Sequence, residues 1–152
     1  MTVPPIPTAG LFEGRAHLLP LRVYYEDTDF TGLVYHGAYV RWFERGRSDF
    51  LRLAGVQHAE LLAHAEPTAF VVTRLTVEYR KGARIDDALV VRTTYDSVRG
   101  ARLYIAQAIE RGGETLATAQ VEAACIDLSG RARRPPATLV ERLTPWLAAS
   151  RP

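Results

Sequence analysis

Between Tyr24 and Phe50 the chain reads YYEDTDFTGLVYHGAYVRWFERGRSDF, and this stretch concentrates the residues that could do chemistry. Three carboxylates, Glu26, Asp27 and Asp29, precede a helical segment expected to begin near Gly37 or Tyr39. A helix N-terminus presents amides without intrahelical acceptors and the positive end of a dipole, which suits negative charge developing on a bound group. A carboxylate beside it can serve as nucleophile or as base. Acids in such loops also have a structural fate, capping loop or helix amides, and from local sequence alone that is the commoner outcome. At His36 two roles stay open: the imidazole could act as an acid or orienting group, or only the backbone N–H could act.

The rest of the chain offers little competing chemistry. His17 falls at a strand start and His58 and His64 in a polar linker, so no acid, base and nucleophile triad is spaced out. Neither these histidines nor the single cysteine, Cys125, have the spacing of metal ligands, and no metal is expected. Cys125 sits in an alternating apolar run and reads as a small core residue. All but one of the 19 basic residues are arginine, the exception being Lys81; such a bias can reflect genome composition as readily as phosphate recognition.

These residues must be positioned by scaffold on both sides. Upstream, His17 to Tyr25 is rich in β-formers, with Pro20 marking an edge or an irregular start. Downstream, Tyr39, Trp42, Phe43, Gly46, Phe50, Leu53 and Ala54 recur at helical spacing opposite Arg41, Arg45, Ser48 and Arg52. Gly46 in mid-face costs about 1 kcal/mol of helix propensity against alanine, which predicts close packing there. A short helical turn is expected between residues 56 and 67. Period-two runs then predict four strands: one through Val71, Thr73, Leu75, Val77 and Tyr79, then Leu89–Val98, Arg102–Arg111 and Thr115–Asp127. Gly112-Gly113 is a strong hairpin signal, and Ala117, Ala119, Val121, Ala123 and Cys125 form a small-residue face that a helix can approach. Thr138 with Glu141 matches a capping box for a short C-terminal helix interrupted at Pro145.

A chain of 152 residues suits one domain with a real core. Hydrophobic content of 47%, charged content of 24% and the lack of a long apolar run describe a soluble protein with no integral membrane segment. A net charge of +2 gives no ground for nucleic-acid binding. The proline-containing N-terminus has no signal-peptide pattern, which leads to an expectation of cytoplasmic location. The order strand, helix, four strands is that of an α+β domain with a mostly antiparallel sheet and one central helix.

The residues Asp29, Gly32, Val34-Tyr35-His36, Tyr39 and Phe43-Glu44-Arg45 resemble the signature of the 4-hydroxybenzoyl-CoA-type thioesterases, most closely the Tol-Pal-associated acyl-CoA thioesterases. The resemblance runs from about residue 17 to 128. It implies a hotdog fold, a five-stranded antiparallel sheet wrapped around the helix. Together with the composition of the ends, which lie outside the matched part, it gives a mobile leader (1–15), a hotdog thioesterase domain (16–130) and a basic connector with a short C-terminal helix (131–152).

The implied reaction is hydrolysis of short to medium acyl-CoA thioesters, with CoA as part of the substrate and no other cofactor. The implied catalytic pair is Asp29, as nucleophile or general base, and the amide of His36, polarising the thioester carbonyl. Glu44 supports the site, and Tyr35 and Tyr39 serve as pocket walls. Arg99 matches one position of the family's basic cluster; Gly100 and Ala101 depart from it, so Arg102 and Arg84 are further candidates for the CoA phosphates. Resembling proteins pair edge to edge, which implies a homodimer at minimum and is compatible with a tetramer. The resemblance also leaves an acyl-carrier protein open as donor and a location near the inner membrane.

Overall fold

Period-two and period-3.6 patterning produce one sheet and one long helix. The computed structural model describes residues 2–7 and 9–148. Met1 and Thr8 of the expected leader and residues 149–152 of the expected C-terminal segment lie outside the described residues. The strands are β1 (Leu11–Glu13), β2 (Ala16–Arg22), β3 (Ala69–Tyr79), β4 (Ala88–Arg99), β5 (Arg102–Arg111) and β6 (Glu114–Ile126). The helices are α1 (His36–Leu53), α2 (His58–Ala63) and α3 (Ala137–Leu143). All strand pairs are antiparallel, in the order β1-β2-β4-β5-β6-β3.

The sheet therefore has six strands where five are expected. The addition is Leu11–Glu13, inside the stretch expected to be leader, which pairs with Ala16–Leu18. Three residues are too short for a periodic signal, and tertiary contacts hold them. Phe12 stacks on Trp146 at 3.8 Å between centroids and packs edge-on against Phe50. Arg15 also donates to the carbonyl of Leu147. Because β1 covers only the first residues of β2, Pro20 lies on an uncovered part of that edge, where its missing N–H costs no ladder bond.

The alternation of β3 breaks where the periodicity predicts continuity. A bulge between Val72 and Arg74 leaves Thr73 as the extra residue, so Val72 opposes Ala123 while Leu75 opposes Val121. Phe70 and Val72 thus share a face with Leu75, Val77 and Tyr79, and the expected Val71 and Thr73 do not. The Gly112-Gly113 hairpin forms as expected, with both residues at positive φ (57° and 83°). Thr138 falls inside α3 instead of capping it: Pro136 is the N-cap and makes no side-chain bond, so the expected capping box is absent.

One face of α1 lies on the sheet. Tyr39, Trp42, Phe43, Gly46 and Phe50 are buried as expected, whereas Leu53 is 41% exposed and Leu51 takes its place in the core. A Cβ at Gly46 would come within 2.8 Å of Val91 Cγ1 and 2.9 Å of Thr93 Oγ1, so only glycine permits this approach. Beside it the Gln107 amide donates to the Phe43 carbonyl (2.8 Å) and Thr93 Oγ1 (2.9 Å) and accepts from Arg47 (2.9 Å). A buried amide so satisfied locks the helix to β4 and β5 at one register. The small face Ala117, Ala119, Val121, Ala123 and Cys125 is buried as expected. No helix among the described residues is long and apolar enough to cross a membrane.

Candidate functional site

The acidic loop is closed by backbone bonds that bring it to the head of α1. Thr28 and Val34 form an antiparallel bridge, Asp29 N–H donates to Leu33 O (3.0 Å), and Tyr35 N–H donates to Asp27 O (2.8 Å). Tyr35 is the extended N-cap residue and makes no side-chain cap, so His36 is the first residue of the helix. The His36 and Gly37 amides stand at positions with no acceptor inside the helix.

The three loop acids separate by environment. Asp27 is buried and its carboxylate accepts from Tyr24 N–H (2.8 Å), so it holds the 3-10 turn Tyr25–Asp27 together. Glu26 is exposed in that turn. Asp29 is exposed, and its Oδ1 accepts from the Thr31 amide (2.8 Å) and hydroxyl (2.6 Å). These bonds, with a smaller contribution from the nearby His36, hold the Asp29 carboxyl below its usual range. One oxygen thus caps the loop while Oδ2 has no hydrogen-bond partner among the described residues. An ionised, outward-facing carboxylate suits attack or proton abstraction and not proton donation.

Around His36 the aromatic residues cluster. Its carbonyl accepts from Tyr79 Oη (2.9 Å), and its ring lies 4.4 Å from that of Tyr35 and 6.4 Å from that of Tyr79. Tyr39 is buried, and its hydroxyl accepts from Ala83 N–H (3.0 Å). Leu33, His36, Tyr39 and Tyr79 share a shallow depression of about 250 Å³. Asp29, Tyr35, His36 and Tyr39 therefore gather at one pole of the chain.

Glu44 stands apart. It lies two turns along the helix, about 12 Å by the helical rise, and lines a second cavity of about 430 Å³ with Arg47, Ser48, Thr68 and Phe70. Sequence reasoning missed this cavity, although Glu44, Arg47, Ser48 and Leu51 follow helical spacing and mark a stripe. Thr68 borders this cavity but is 1% exposed, and its hydroxyl is sealed in the protein with no hydrogen-bond partner among the described residues.

The arginine candidates divide between the two ends of the sheet. Arg84 bridges Leu33 through its backbone and so lies behind the acidic loop. Arg99 and Arg102 flank the opposite hairpin: Arg99 lies 5.6 Å over the Tyr104 ring, and Arg102 approaches Thr73 (3.4 Å) and Glu122 (3.9 Å). The turn beside Arg84 is fixed by Asp87, whose carboxylate accepts from the Arg84 amide (2.8 Å) and Arg111 (2.8 Å). Among the described residues no three His, Cys, Asp or Glu side chains are grouped as a metal would require.

Residues 23–148 match the sequence pattern of the Thioesterase-like superfamily. Over 109 residues the chain is 42% identical to the acyl-CoA thioesterase YbgC of Haemophilus influenzae, covering 72% of this chain and 79% of that one. It is 45% identical to the acyl-CoA thioester hydrolase YbgC of Escherichia coli, again over 109 residues, 71% of this chain and 80% of the relative. In structure it resembles a probable thioesterase from Bartonella henselae with a TM-score of 0.77 and 41% identity, over 80% of this chain and 99% of that one. A 4-hydroxybenzoyl-CoA thioesterase mutant in complex with 4-hydroxybenzoyl CoA superposes with a TM-score of 0.78 at 18% identity, over 84% and 98% of the two chains, which bears on the fold alone. The antiparallel sheet around α1 is accordingly the hotdog fold, and the chain belongs to the Thioesterase-like superfamily.

Proposed function

We propose that the protein hydrolyses acyl-CoA thioesters of short to medium chain length, with Asp29 and the His36 amide as its catalytic groups. The observation that carries the reading is their placement: an ionised carboxylate with an unengaged oxygen, seven residues before a helix-first amide, in one loop. The thioester carbonyl oxygen faces the His36 N–H, which stabilises it as it becomes an oxyanion. In the general-base form, Asp29 takes a proton from water as the water oxygen bonds to the carbonyl carbon. The C–S bond then breaks, and CoA leaves as thiolate and takes up a proton. In the nucleophilic form, Asp29 bonds to the carbonyl carbon, CoA thiolate leaves, and water cleaves the resulting anhydride.

The site is completed by a second copy of the chain. Among the described residues nothing pairs with the outer edge of β3, and Val71 and Val72 on that strand are 39% and 48% exposed. An unpaired apolar edge favours pairing with another strand. Antiparallel pairing of two such edges sets the Ala69 end of one copy beside the Tyr79 end of the other, and with it His36. The 430 Å³ cavity of one protomer, with Glu44 at its wall, then receives the acyl group activated at the other. Arg99 and Arg102 at that same end, and Arg84 behind the loop, supply positive charge for the CoA phosphates.

Because Asp29 Oδ1 already caps Thr31, a second reading is a non-catalytic module that binds acyl-CoA or an acyl-carrier protein. Acyl-CoA turnover followed by free thiol distinguishes the two. Wild type should release thiol and Asp29→Asn should lose at least about 100-fold in kcat, the usual scale for losing a general base. Unchanged hydrolysis in that variant refutes the catalytic role, and binding without turnover by wild type establishes the module.

A further inference from the structure

His17 is wholly buried where strand β1 meets the C-terminal half of α1, and only one of its ring nitrogens is engaged. Nε2 meets Asp49 Oδ2 at 2.7 Å, and the same oxygen accepts from Gly10 N–H (2.8 Å). Nδ1 is sealed with no hydrogen-bond partner among the described residues. A neutral ring that donates through Nε2 fits this site, whereas a protonated ring gains an Nδ1–H with no acceptor. Desolvation favours the neutral form as well. Asp49 is the charge that faces the ring. Thr93 of β4 opposes His17 across the ladder, and Phe12 of β1 and Phe50 of α1 flank it. Arg45 and Arg52 border the hollow beside Asp49 and oppose a further positive charge, while Glu13 and Arg92 pair with each other (4.0 Å).

What the ring holds is a small element. Strand β1 has three ladder positions and one aromatic anchor, Phe12, whose ring stacks on Trp146. A Cβ at Gly10 would come within 2.8 Å of the His17 ring, so the chain entering β1 lies directly against the imidazole. Helix α3, by contrast, buries Leu139 and Leu143 in the core and has its own anchorage. We infer that His17 and Asp49 form an acid-released latch on β1, and that the latch guards the second edge of the sheet. Strand β1 covers Ala16–Leu18 of β2, and Pro20 removes a donor from the rest of that edge. Release bares Ala16–Leu18 and gives the sheet two open edges, so strand pairing no longer closes at two copies. The edge role rests on the pairing of β3 edges proposed above, and the latch itself rests on neither that pairing nor the reaction. A released His17 titrates near its ordinary 6.5. Each pH unit below that value shifts the balance toward release by at most about tenfold.

The test is acrylamide quenching of tryptophan fluorescence at pH 7.5, 5.5 and 4.5, with light scattering on the same samples. Trp42 is 3% exposed and stays shielded, so added quenching reports Trp146 losing Phe12. In wild type quenching should rise several-fold as pH falls while far-UV circular dichroism is kept, and the particles should grow with protein concentration. His17→Gln keeps a donor toward Asp49 without titrating, so it should stay shielded and constant in size. Phe12→Ala should be quenched and associate at every pH. Quenching that acid leaves unchanged in wild type, or that rises equally in His17→Gln, overturns the latch, as does a rise that coincides with loss of circular dichroism. Release with no growth in size overturns the edge role, and a wild type that is monomeric at pH 7.5 overturns the proposed pairing while quenching still decides the latch.

Discussion

The phenol of Tyr79 donates to the carbonyl oxygen of His36 at 2.9 Å, joining the outer strand of the sheet to the first residue of the central helix. Partial burial, with the neighbouring Tyr39 and Tyr35, raises the Tyr79 pKa, so the phenol remains a donor at neutral pH. Tyr79→Phe removes this one bond and keeps the ring. The expected result is a several-fold fall in kcat with KM nearly unchanged and a stability loss of about 1 kcal/mol in urea unfolding. An unchanged kcat would mean that the bond has no part in placing the His36 amide.

The Asp29 carboxyl lies below its ordinary value of 3.8 because the Thr31 hydroxyl and amide bond its charged form. In either proposed mechanism the charged form is the active one, so activity should persist as pH falls until Asp29 takes a proton. The acid limb of kcat/KM due to Asp29 should lie below pH 3.8, and Thr31→Val should move it upward. A limb that stays in place in Thr31→Val would assign it to another group or to unfolding.

His17 is wholly buried, and its Nε2 meets Asp49 Oδ2 at 2.7 Å, with Gly10 N–H on the same oxygen at 2.8 Å. Desolvation outweighs the attraction of Asp49 and lowers the His17 pKa below 6.5. The unfolded chain therefore binds the proton first as pH falls. This contribution to stability is complete above pH 6.5 and is lost as pH drops toward the lower folded value, with a slope of at most about 1.4 kcal/mol per pH unit. Urea midpoints at pH 7.5, 6.5 and 5.5 should decline in wild type and decline less in His17→Gln. Parallel declines would place the effect elsewhere.

Val72 is 48% exposed on the strand whose outer edge is unpaired. Val72→Lys puts a charge on that edge, a device that blocks strand addition. Light scattering should report a dimer or larger for wild type and a monomer for the variant, with thioester turnover lost and far-UV circular dichroism preserved. A monomeric wild type with full activity would rule out the shared site.

Periodicity made the long elements legible. The bounds of α1 and of β4, β5 and β6 lie within a few residues of expectation, because each repeats a buried face over ten residues or more. The close approach at Gly46 was legible too, since only packing repays a mid-helix glycine. Features carried by one or two residues were not. Strand β1 depends on Phe12 meeting Trp146, 134 positions away along the chain. The bulge at Thr73 reverses half of a strand without altering its composition. The capping-box pattern at Thr138 lost to a helix beginning one residue after Pro136.

For the candidate site, the sequence by itself determined the fold class, the acid-rich loop and the helix it precedes, because residue type and period act locally. Residue type and spacing left three acids equivalent, and the family resemblance favoured Asp29 among them. The tertiary structure gave them different surroundings, burying Asp27 against Tyr24 N–H and leaving Asp29 exposed, charged and half engaged. It also moved Glu44 from the Asp29 pole to a cavity whose walls come from α1, α2 and four strands. That cavity has no local signature, since it exists only where segments distant in sequence fail to fill the space between them.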